Sequence, residues 1–382
     1  MLGSGKSLSI SNRHSPRPPY VRRVIWAWIL FLGFVFVMLA LDLGVFHRKS
    51  HVIHIKEALM WSAFWITLGL LFSIVVYFGY EQHWFHLGLN PDGSAAMDPA
   101  DKLVNDGKLA ATKYLTGYVV EKSLSVDNIF VIAMVFSSLA VRPRYQHRVL
   151  FWGILGALIM RGVMIGIGAS LVTNFHWILY VFGAFLVFTA IKMLVTDEDE
   201  GNPADNKLVA WISRRFPVTR NYHGKHFLVK ADSAASREAA DPDEQQQADE
   251  AVEKARSGKW MLTPLAIALV LVEVTDLIFA VDSIPAIFAI TADPFLVFTS
   301  NVFAILGLRS LYFALAGMIS TFRYLKPALS LILFVVGVKM LALKWIKMWL
   351  GESTNLVVLG LIFGILAVGV IASICSKKKA AD

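Results

Sequence analysis

The chain is built mainly from long apolar stretches that recur between residues 24 and 375 with mostly short polar breaks. Each stretch is about twenty residues or longer, the length at which an α-helix crosses the hydrocarbon core of a bilayer. Of 382 residues, 56% are hydrophobic and 17% are charged, whereas soluble domains carry nearer a quarter charged residues. The pattern predicts an all-α polytopic membrane protein that contacts membrane lipid.

The apolar stretches divide into nine predicted spans, two of which are unusually long, at 109–140 and 260–291. At 1.5 Å per residue, about 30 helical residues reach about 45 Å, against a core of about 30 Å. These two spans must therefore tilt, begin outside the bilayer or break. The predicted organisation is an N-terminal tail (1–23), two accessory spans (24–80), a first three-helix repeat (109–195), a partly disordered cytoplasmic loop (196–259), a second three-helix repeat (260–348), and a last span with a basic tail (354–382).

Carboxylates interrupt the same two long spans. The third span carries Glu121 and Asp127, and the sixth carries Glu273, Asp276 and Asp282. A charged side chain in hydrocarbon costs several kcal/mol, so such residues usually mark an ion pathway or a proton relay. The two acidic runs therefore favour a cation pathway over a soluble enzyme.

The two acidic runs also resemble each other. The segment Glu121–Asn128 aligns with Asp276–Ser283, and short matches follow in the same order just before Arg161 and Arg309. Each unit holds three spans, so the second unit begins on the opposite side of the membrane from the first. The sequence predicts a three-plus-three inverted repeat, an architecture whose binding sites lie near the midplane at the interface of the repeats.

The candidate ligands are all oxygen donors. Residues six apart on a regular helix lie about 120° from each other around the axis, and a local unwinding near Pro285 would bring more of the oxygens together. The predicted metal ligands are Glu121, Asp127, Asn128, Glu273, Asp276 and Asp282. Further polar candidates are Asp42, Ser125, Thr275, Ser283, Arg161 and Arg309.

Oxygen ligands suit hard divalent cations such as Mn²⁺, Mg²⁺ or Ca²⁺, and not Zn²⁺ or Cu⁺. Crowded carboxylates in a low dielectric also have a raised affinity for protons, so protons could be exchanged for metal. In the alternative interpretation, Arg161, Arg309, Lys192 and Lys339 only neutralise these acids as structural pairs. The carboxylates outnumber the deep cations, which favours a mobile cation or protons.

Several other classes of protein are excluded or disfavoured. The net charge of +8 arises from basic residues in loops and tails, which does not indicate nucleic-acid binding. The single cysteine, Cys375, rules out an intramolecular disulfide, and we find no motif for an enzyme or a prosthetic group. Loop cations favour an orientation with the N-terminus outside and the C-terminus in the cytoplasm.

At the two acidic runs the chain resembles the TerC family, close to its Alx-type members. The first run reads Thr116-Gly-Tyr-Val-Val-Glu-Lys-Ser-Leu-Ser-Val-Asp-Asn-Ile-Phe130, and the second begins Val272-Glu-Val-Thr-Asp-Leu-Ile-Phe-Ala-Val-Asp-Ser-Ile-Pro285. The second run continues through Thr299-Ser-Asn301 to Leu308-Arg-Ser310. The resemblance covers about Ala40 to the last span.

This resemblance implies a nine-span inner-membrane protein tied to manganese export, with distant kinship to the LysE superfamily. Members are also associated with tellurite resistance, and some with the secretion translocon. Three functions therefore stay open: a Mn²⁺ exporter with protons as a coupling ion, an assembly or metalation factor that partners the secretion machinery, and an exporter of a small organic cation.

Overall fold

A computed structural model describes residues 19–44, 55–175, 177–195, 207–219, 221–231, 258–315 and 324–379. These residues are mainly helical. The helices are α1 (Pro19–Gly44), α2 (Ile55–Glu81), α3 (Gly107–Ser138), α4 (Pro143–Asn174), α5 (Ile178–Val195), α6 (Lys207–Arg215), α7 (Pro264–Phe288), α8 (Pro294–Ile305), α9 (Leu308–Leu315), α10 (Leu325–Leu341), α11 (Leu343–Leu350) and α12 (Thr354–Lys379). Two short strands, β1 (Leu228–Lys230) and β2 (Trp260–Leu262), pair antiparallel. Short 3-10 turns occupy Trp84–His86 and Gly351–Ser353.

Side-chain caps fix where the repeat helices begin. The Asp106 carboxylate accepts the Leu109 N–H ahead of α3, and the Thr263 hydroxyl does the same for Ala266 ahead of α7. Asp293 caps α8, whose first residue is a proline. A short polar side chain at this position accepts an N–H that has no partner within the helix. These caps start α7 four residues later than the predicted span.

The contacts between α3 and α7 give the relative direction of the two repeats. Gly117 lies beside Ile287, while Asn128, further along α3, donates to Asp276, which comes earlier in α7. The two helices therefore run antiparallel, so that the first half of α3 lies beside the last part of α7.

The third helices of the repeats follow the same rule. The backbone of Gly183 in α5 lies against Leu341 at the end of α10, and Ser330 near the start of α10 donates to the Ala190 carbonyl. The first helix of each repeat also packs on the second helix of the other repeat: α3 packs on α8, and α7 packs on α4. The predicted inverted repeat of α3–α5 and α7–α10 is confirmed.

Every predicted span contains helix, but two of the spans are interrupted. Within the described residues, seven helical segments are long and apolar enough to cross a membrane, or eight if α10 and α11 count as one bent span. The ninth, α3, has the length, but its charged side chains make it less apolar than the others. The acidic spans themselves are continuous, because α7 runs through Pro285 without unwinding. The local unwinding that would bring more of the oxygens together does not occur at Pro285.

The breaks occur in the second and third spans of the second repeat. At Gly307 the backbone takes φ +79°, a left-handed conformation that favours glycine, and this ends α8 before α9 begins. After Ala342 the chain turns by 90°, so α11 lies across the end of the bundle and not along it. The predicted single span over 325–348 is corrected accordingly. Trp345 and Trp349 of α11 are 68% and 83% exposed.

The two ends of the bundle are closed by different segments. The α2–α3 connection, residues 82–106, packs over the end where α3 begins and α7 ends, and is described below. At the opposite end, the Tyr222 hydroxyl donates to the Leu139 carbonyl at 2.6 Å, and the Arg148 guanidinium lies over the Phe227 ring. The described part of the predicted loop 196–259 therefore packs on the bundle. The predicted disorder falls mainly on residues 232–257, which lie outside the described residues.

Candidate functional site

A buried ion pair joins the two repeats near the middle of their helices. The guanidinium of Arg161 on α4 forms an ion pair with Glu121 on α3 and another with Asp276 on α7. Its Nη2 lies 3.0 Å from Asp276 Oδ1 and its Nε lies 3.2 Å from Oδ2, so the second contact is bidentate. Glu121, Arg161 and Asp276 are 1%, 3% and 5% exposed. Bidentate contacts between a guanidinium and a carboxylate are stronger than neutral hydrogen bonds.

Two asparagines complete the polar shell around the guanidinium. Asn128 Nδ2 donates to Asp276 Oδ1 at 3.0 Å, and Asn301 Oδ1 on α8 accepts from Arg161 Nη1 at 3.0 Å. Asn301 also donates to the Val297 carbonyl, which fixes its amide orientation. Four helices of the two repeats, α3, α4, α7 and α8, therefore contribute to one buried cluster.

Several buried oxygens of this region are not satisfied by the described residues. Among those residues, Glu121 Oε2, Asn128 Oδ1 and Ser283 Oγ have no hydrogen-bond partner. Leaving such groups buried without a partner costs about 1–3 kcal/mol each. These oxygens are chemically suited to accept a cation, a proton or water.

Glu273 lies at the edge of the cluster, one helical turn before Asp276. Its carboxylate lies directly against the backbone of Gly156 on α4, where a Cβ atom would have no space. Its Oε2 also has no hydrogen-bond partner among the described residues. A glycine is needed at position 156 because α4 and the Glu273 carboxylate approach so closely.

The remaining predicted residues lie around this cluster or away from it. Asp282 is half-buried and accepts from Thr189 of α5 at 3.4 Å, Asp127 and Thr275 are half-buried, and Ser125 is buried. Arg309 on α9 is buried at 2% exposure. The Asp42 side chain lies outside the described residues.

The structure therefore unites only part of the predicted ligand set. It brings Glu121, Asn128 and Asp276 together around Arg161. Over the part of the chain that the structure describes, no three His, Cys, Asp or Glu side chains converge as a metal-binding group. The physical reason is that α3 and α7 remain regular helices, so Asp127 and Asp282 point away from Glu121 and Asp276 by about 120°. Metal binding by the six predicted residues stays a prediction.

Sequence reasoning gave no role to Asn301 or Lys122. Asn301 lies in a run of three polar residues, which is an available signal. The Lys122 ammonium donates to the carbonyls of Ala304 at 3.0 Å and Leu306 at 3.4 Å, where α8 ends before the break at Gly307. A cation at this position is favoured by the carbonyls that a helix leaves free at its C-terminus.

These features define a polytopic membrane protein in which two inverted three-helix repeats enclose a buried ion-paired cluster. The chain belongs to the TerC family of integral membrane proteins, whose sequence model matches residues 107–381. The match begins with the first helix of the first repeat and covers both acidic runs.

Relatives of similar length support this assignment. A Myxococcus xanthus protein named "Uncharacterized membrane protein STKORF319" is 43% identical over 353 residues, which cover 92% of this chain and 93% of the relative. An Escherichia coli (strain K12) protein named "Putative membrane-bound redox modulator Alx" is 41% identical over 340 residues, covering 89% and 91%. A Rickettsia bellii membrane protein is 36% identical over 341 residues, covering 89% and 96%. No matching solved structure was found.

Proposed function

We propose that this TerC-family protein exports a hard divalent cation, Mn²⁺ being the preferred candidate, across the bacterial inner membrane in exchange for protons. The observation that carries the proposal is the Arg161 guanidinium held between Glu121 of one repeat and Asp276 of the other. Inverted-repeat transporters bind their substrates at this position, between the repeats and near the membrane midplane. The protein's orientation in this proposal has the N-terminus outside and the C-terminus in the cytoplasm.

Arg161 acts in this proposal as a tethered cation that fills the site when no metal is bound. Two buried carboxylates without a counter-charge would be strongly destabilising. An incoming divalent cation would take over the oxygens of Glu121, Asn128 and Asp276 and release Arg161. Proton uptake would then let the carboxylates release the metal, since a neutral carboxyl binds cations weakly.

The donor chemistry supports a hard metal ion as the substrate. The polar atoms facing this region are carboxylate, amide and hydroxyl oxygens, including the unsatisfied oxygens of Glu121, Asn128 and Ser283. Oxygen ligands suit Mn²⁺, Mg²⁺ and Ca²⁺. The choice of manganese among these ions is supported by the family resemblance. The oxygen ligands support only the class of hard divalent cations.

The name of the Escherichia coli relative refers to redox modulation. The thiol of Cys375, exposed on α12, is the sole cysteine of the chain and cannot form an intramolecular disulfide. We therefore propose neither an enzymatic activity nor a prosthetic group. Export of a redox-active metal ion would account for the reference to redox in the relative's name without any thiol chemistry.

The test is Mn²⁺ flux in proteoliposomes that contain only this protein, with and without a pH gradient. The variants are Glu121→Gln and Asp276→Asn, and the matched control is Asp92→Asn, an exposed carboxylate that accepts hydrogen bonds from Ser94 of its own turn. We expect flux that follows the gradient in the wild type and the control, and at least a tenfold loss in both site variants. Asp127→Asn and Asp282→Asn show whether the half-buried acids belong to the pathway.

A folded wild-type protein without flux would contradict the stand-alone exporter. That result would favour the second function, an assembly or metalation factor that requires the secretion machinery as its partner. Correct folding is established by a cooperative thermal transition of the purified protein before reconstitution.

A further inference from the structure

A lysine is fully buried near the start of α3 and is surrounded by three oxygen acceptors from one segment. Lys113 Nζ lies 2.8 Å from Asp98 Oδ2, 2.9 Å from Asp101 Oδ1 and 2.7 Å from Asn105 Oδ1. Its exposure is 0%, and the three partners are each 3% exposed. A lysine hidden this completely is stable only when all its donors are satisfied.

The Asp98 carboxylate also reaches the second repeat. Its Oδ2 accepts from the Thr291 hydroxyl at 2.5 Å, and its Oδ1 accepts from the Ala292 N–H at 2.9 Å. Thr291 and Ala292 lie just beyond the end of α7 at Phe288, whereas Lys113 belongs to α3. One carboxylate therefore ties the first repeat to the second.

Asp101 extends the attachment to the helices that follow. Its Oδ2 accepts from Asn355 of α12 at 3.1 Å, and Asn355 Oδ1 in turn accepts from Lys339 of α10 at 2.9 Å. The Lys347 ammonium of α11 contacts the Asp101 backbone carbonyl. The connection between α2 and α3 is therefore attached directly to α11 and α12, and to α10 through Asn355.

The attachment closes one end of the seam between α3 and α7. Because these helices are antiparallel, Lys113 near the start of α3 and Thr291 after the end of α7 lie at the same end of the bundle, where both bond to Asp98. Glu121 lies eight residues further along α3, about 12 Å deeper at 1.5 Å per residue. A cation moving from the Arg161 cluster along the seam toward this end meets the segment 82–106.

We propose that residues 82–106 form a lid over this end of the α3–α7 seam and that Asp98 is its latch, which must release both repeats before a cation can leave. The inference rests on the proposed transport function for its role, but its motion can be measured separately. A buried polar cluster holds strongly while it is complete and loses several contacts at once when one member is removed. Because the Asp98 carboxylate bonds to both repeats, the lid has two states: closed with these hydrogen bonds formed, and open with them broken.

The first experiment locks the lid. In a Cys375→Ser background, Asp98→Cys and Thr291→Cys are bridged by oxidation or by a short thiol-reactive linker. The control pair, Asp92→Cys and Ser94→Cys, bridges two residues of the same turn that are bonded to each other at 2.6 Å. We expect bridging of the first pair to reduce Mn²⁺ flux at least tenfold, with recovery on reduction, and bridging of the control pair to leave it unchanged. Measurable flux that is equal in the bridged and reduced forms of the first pair would overturn the lid.

The second experiment measures opening without transport. Ser300, 1% exposed on α8 and adjacent to Gly117 in the seam, is replaced by Cys in the same background. Labelling by a membrane-impermeant maleimide is followed in vesicles of both orientations. We expect Asp98→Asn to raise the labelling rate at least tenfold from the lid side, and Asp92→Asn to leave it unchanged.

The two readouts separate the two proposals. Faster labelling in Asp98→Asn together with absent wild-type flux would support the lid and contradict stand-alone export. Unchanged labelling in a folded Asp98→Asn protein would overturn the lid, whatever the flux.

Discussion

Arg161 Nη2 lies 3.0 Å from Asp276 Oδ1, so a cation of the first repeat neutralises a carboxylate of the second. The same guanidinium also pairs with Glu121 of its own repeat. One buried cation therefore links carboxylates of both repeats. This arrangement explains how two carboxylates can be buried close together, because the guanidinium neutralises both.

Removing this charge should destabilise the protein strongly. We expect Arg161→Met to lower the free energy of unfolding by about 3–5 kcal/mol, because it leaves two buried carboxylates without a counter-charge. Adding Glu121→Gln should recover part of the loss. The control is Lys192→Met, an exposed lysine on α5, which should cost under about 0.5 kcal/mol. Denaturant unfolding in detergent measures all three; equal losses for the arginine and lysine variants would refute a buried pair.

The close approach of Glu273 to α4 can be tested with a single methyl group. Alanine is favoured over glycine by about 1 kcal/mol inside a helix, so Gly166→Ala, where the added Cβ meets nothing within 4 Å, should be neutral or stabilising. Gly156→Ala should instead cost about 1–3 kcal/mol, because its Cβ would overlap the Glu273 carboxylate. Thermal unfolding of both variants is the measurement. A stabilising Gly156→Ala would show that the carboxylate is free to move aside.

The Asp98 latch predicts a defined pH dependence. Burial raises the pKa of Asp98, but the Lys113 charge and the hydrogen bonds from Lys113, Thr291 and Ala292 outweigh it and hold the pKa below its ordinary value. A carboxylate with a lowered pKa contributes stability above its unfolded pKa of about 3.9 and loses it as the pH falls through the folded value.

The stability difference between wild type and Asp98→Asn should therefore be constant from about pH 8 to about pH 5 and narrow below about pH 4. Thermal transitions at each pH measure it, with Asp92→Asn as the exposed control. A difference that changes across neutral pH would mean that another group controls the latch.

The packing of the loop at the opposite end depends on the Tyr222 hydroxyl. Burial raises the pKa of Tyr222 to about 12, so its O–H should stay protonated and donate to Leu139 up to about pH 11. Tyr222→Phe should cost about 1 kcal/mol and speed amide hydrogen exchange in residues 221–231. Tyr180→Phe, at a side chain that is 62% exposed on α5, is the control. Unchanged exchange in the Tyr222 variant would place the attachment elsewhere in the loop.

Much of the site was visible in the residues themselves. Carboxylates in apolar stretches are costly, so Glu121 and Asp276 could be singled out without knowing their surroundings. The partner of Asp276 could not, because Arg161 lies 115 residues away along the chain. Which of several deep cations meets a given acid depends on the crossing of α4 with α7, and local periodicity carries no information about it.

The burial of residues 82–106 could not be predicted for a related reason. The sequence contains three polar residues, Asp98, Asp101 and Asn105, shortly before a lysine in an apolar helix. A loop of this composition is ordinarily solvated, so its burial could be recognised only once Thr291 and Asn355 were found to pack against it.

The sequence by itself determined the class of protein, the approximate position of each apolar span and the repeat, because hydrophobic length and internal similarity are properties of the chain order. Only the tertiary structure decided that α7 stays continuous while the next two spans are each divided into two helices. It also decided that Arg161 lies between the acids and that Asp98 bonds to both repeats. These outcomes depend on which distant side chains satisfy each buried charge, and such partners are chosen when the helices pack.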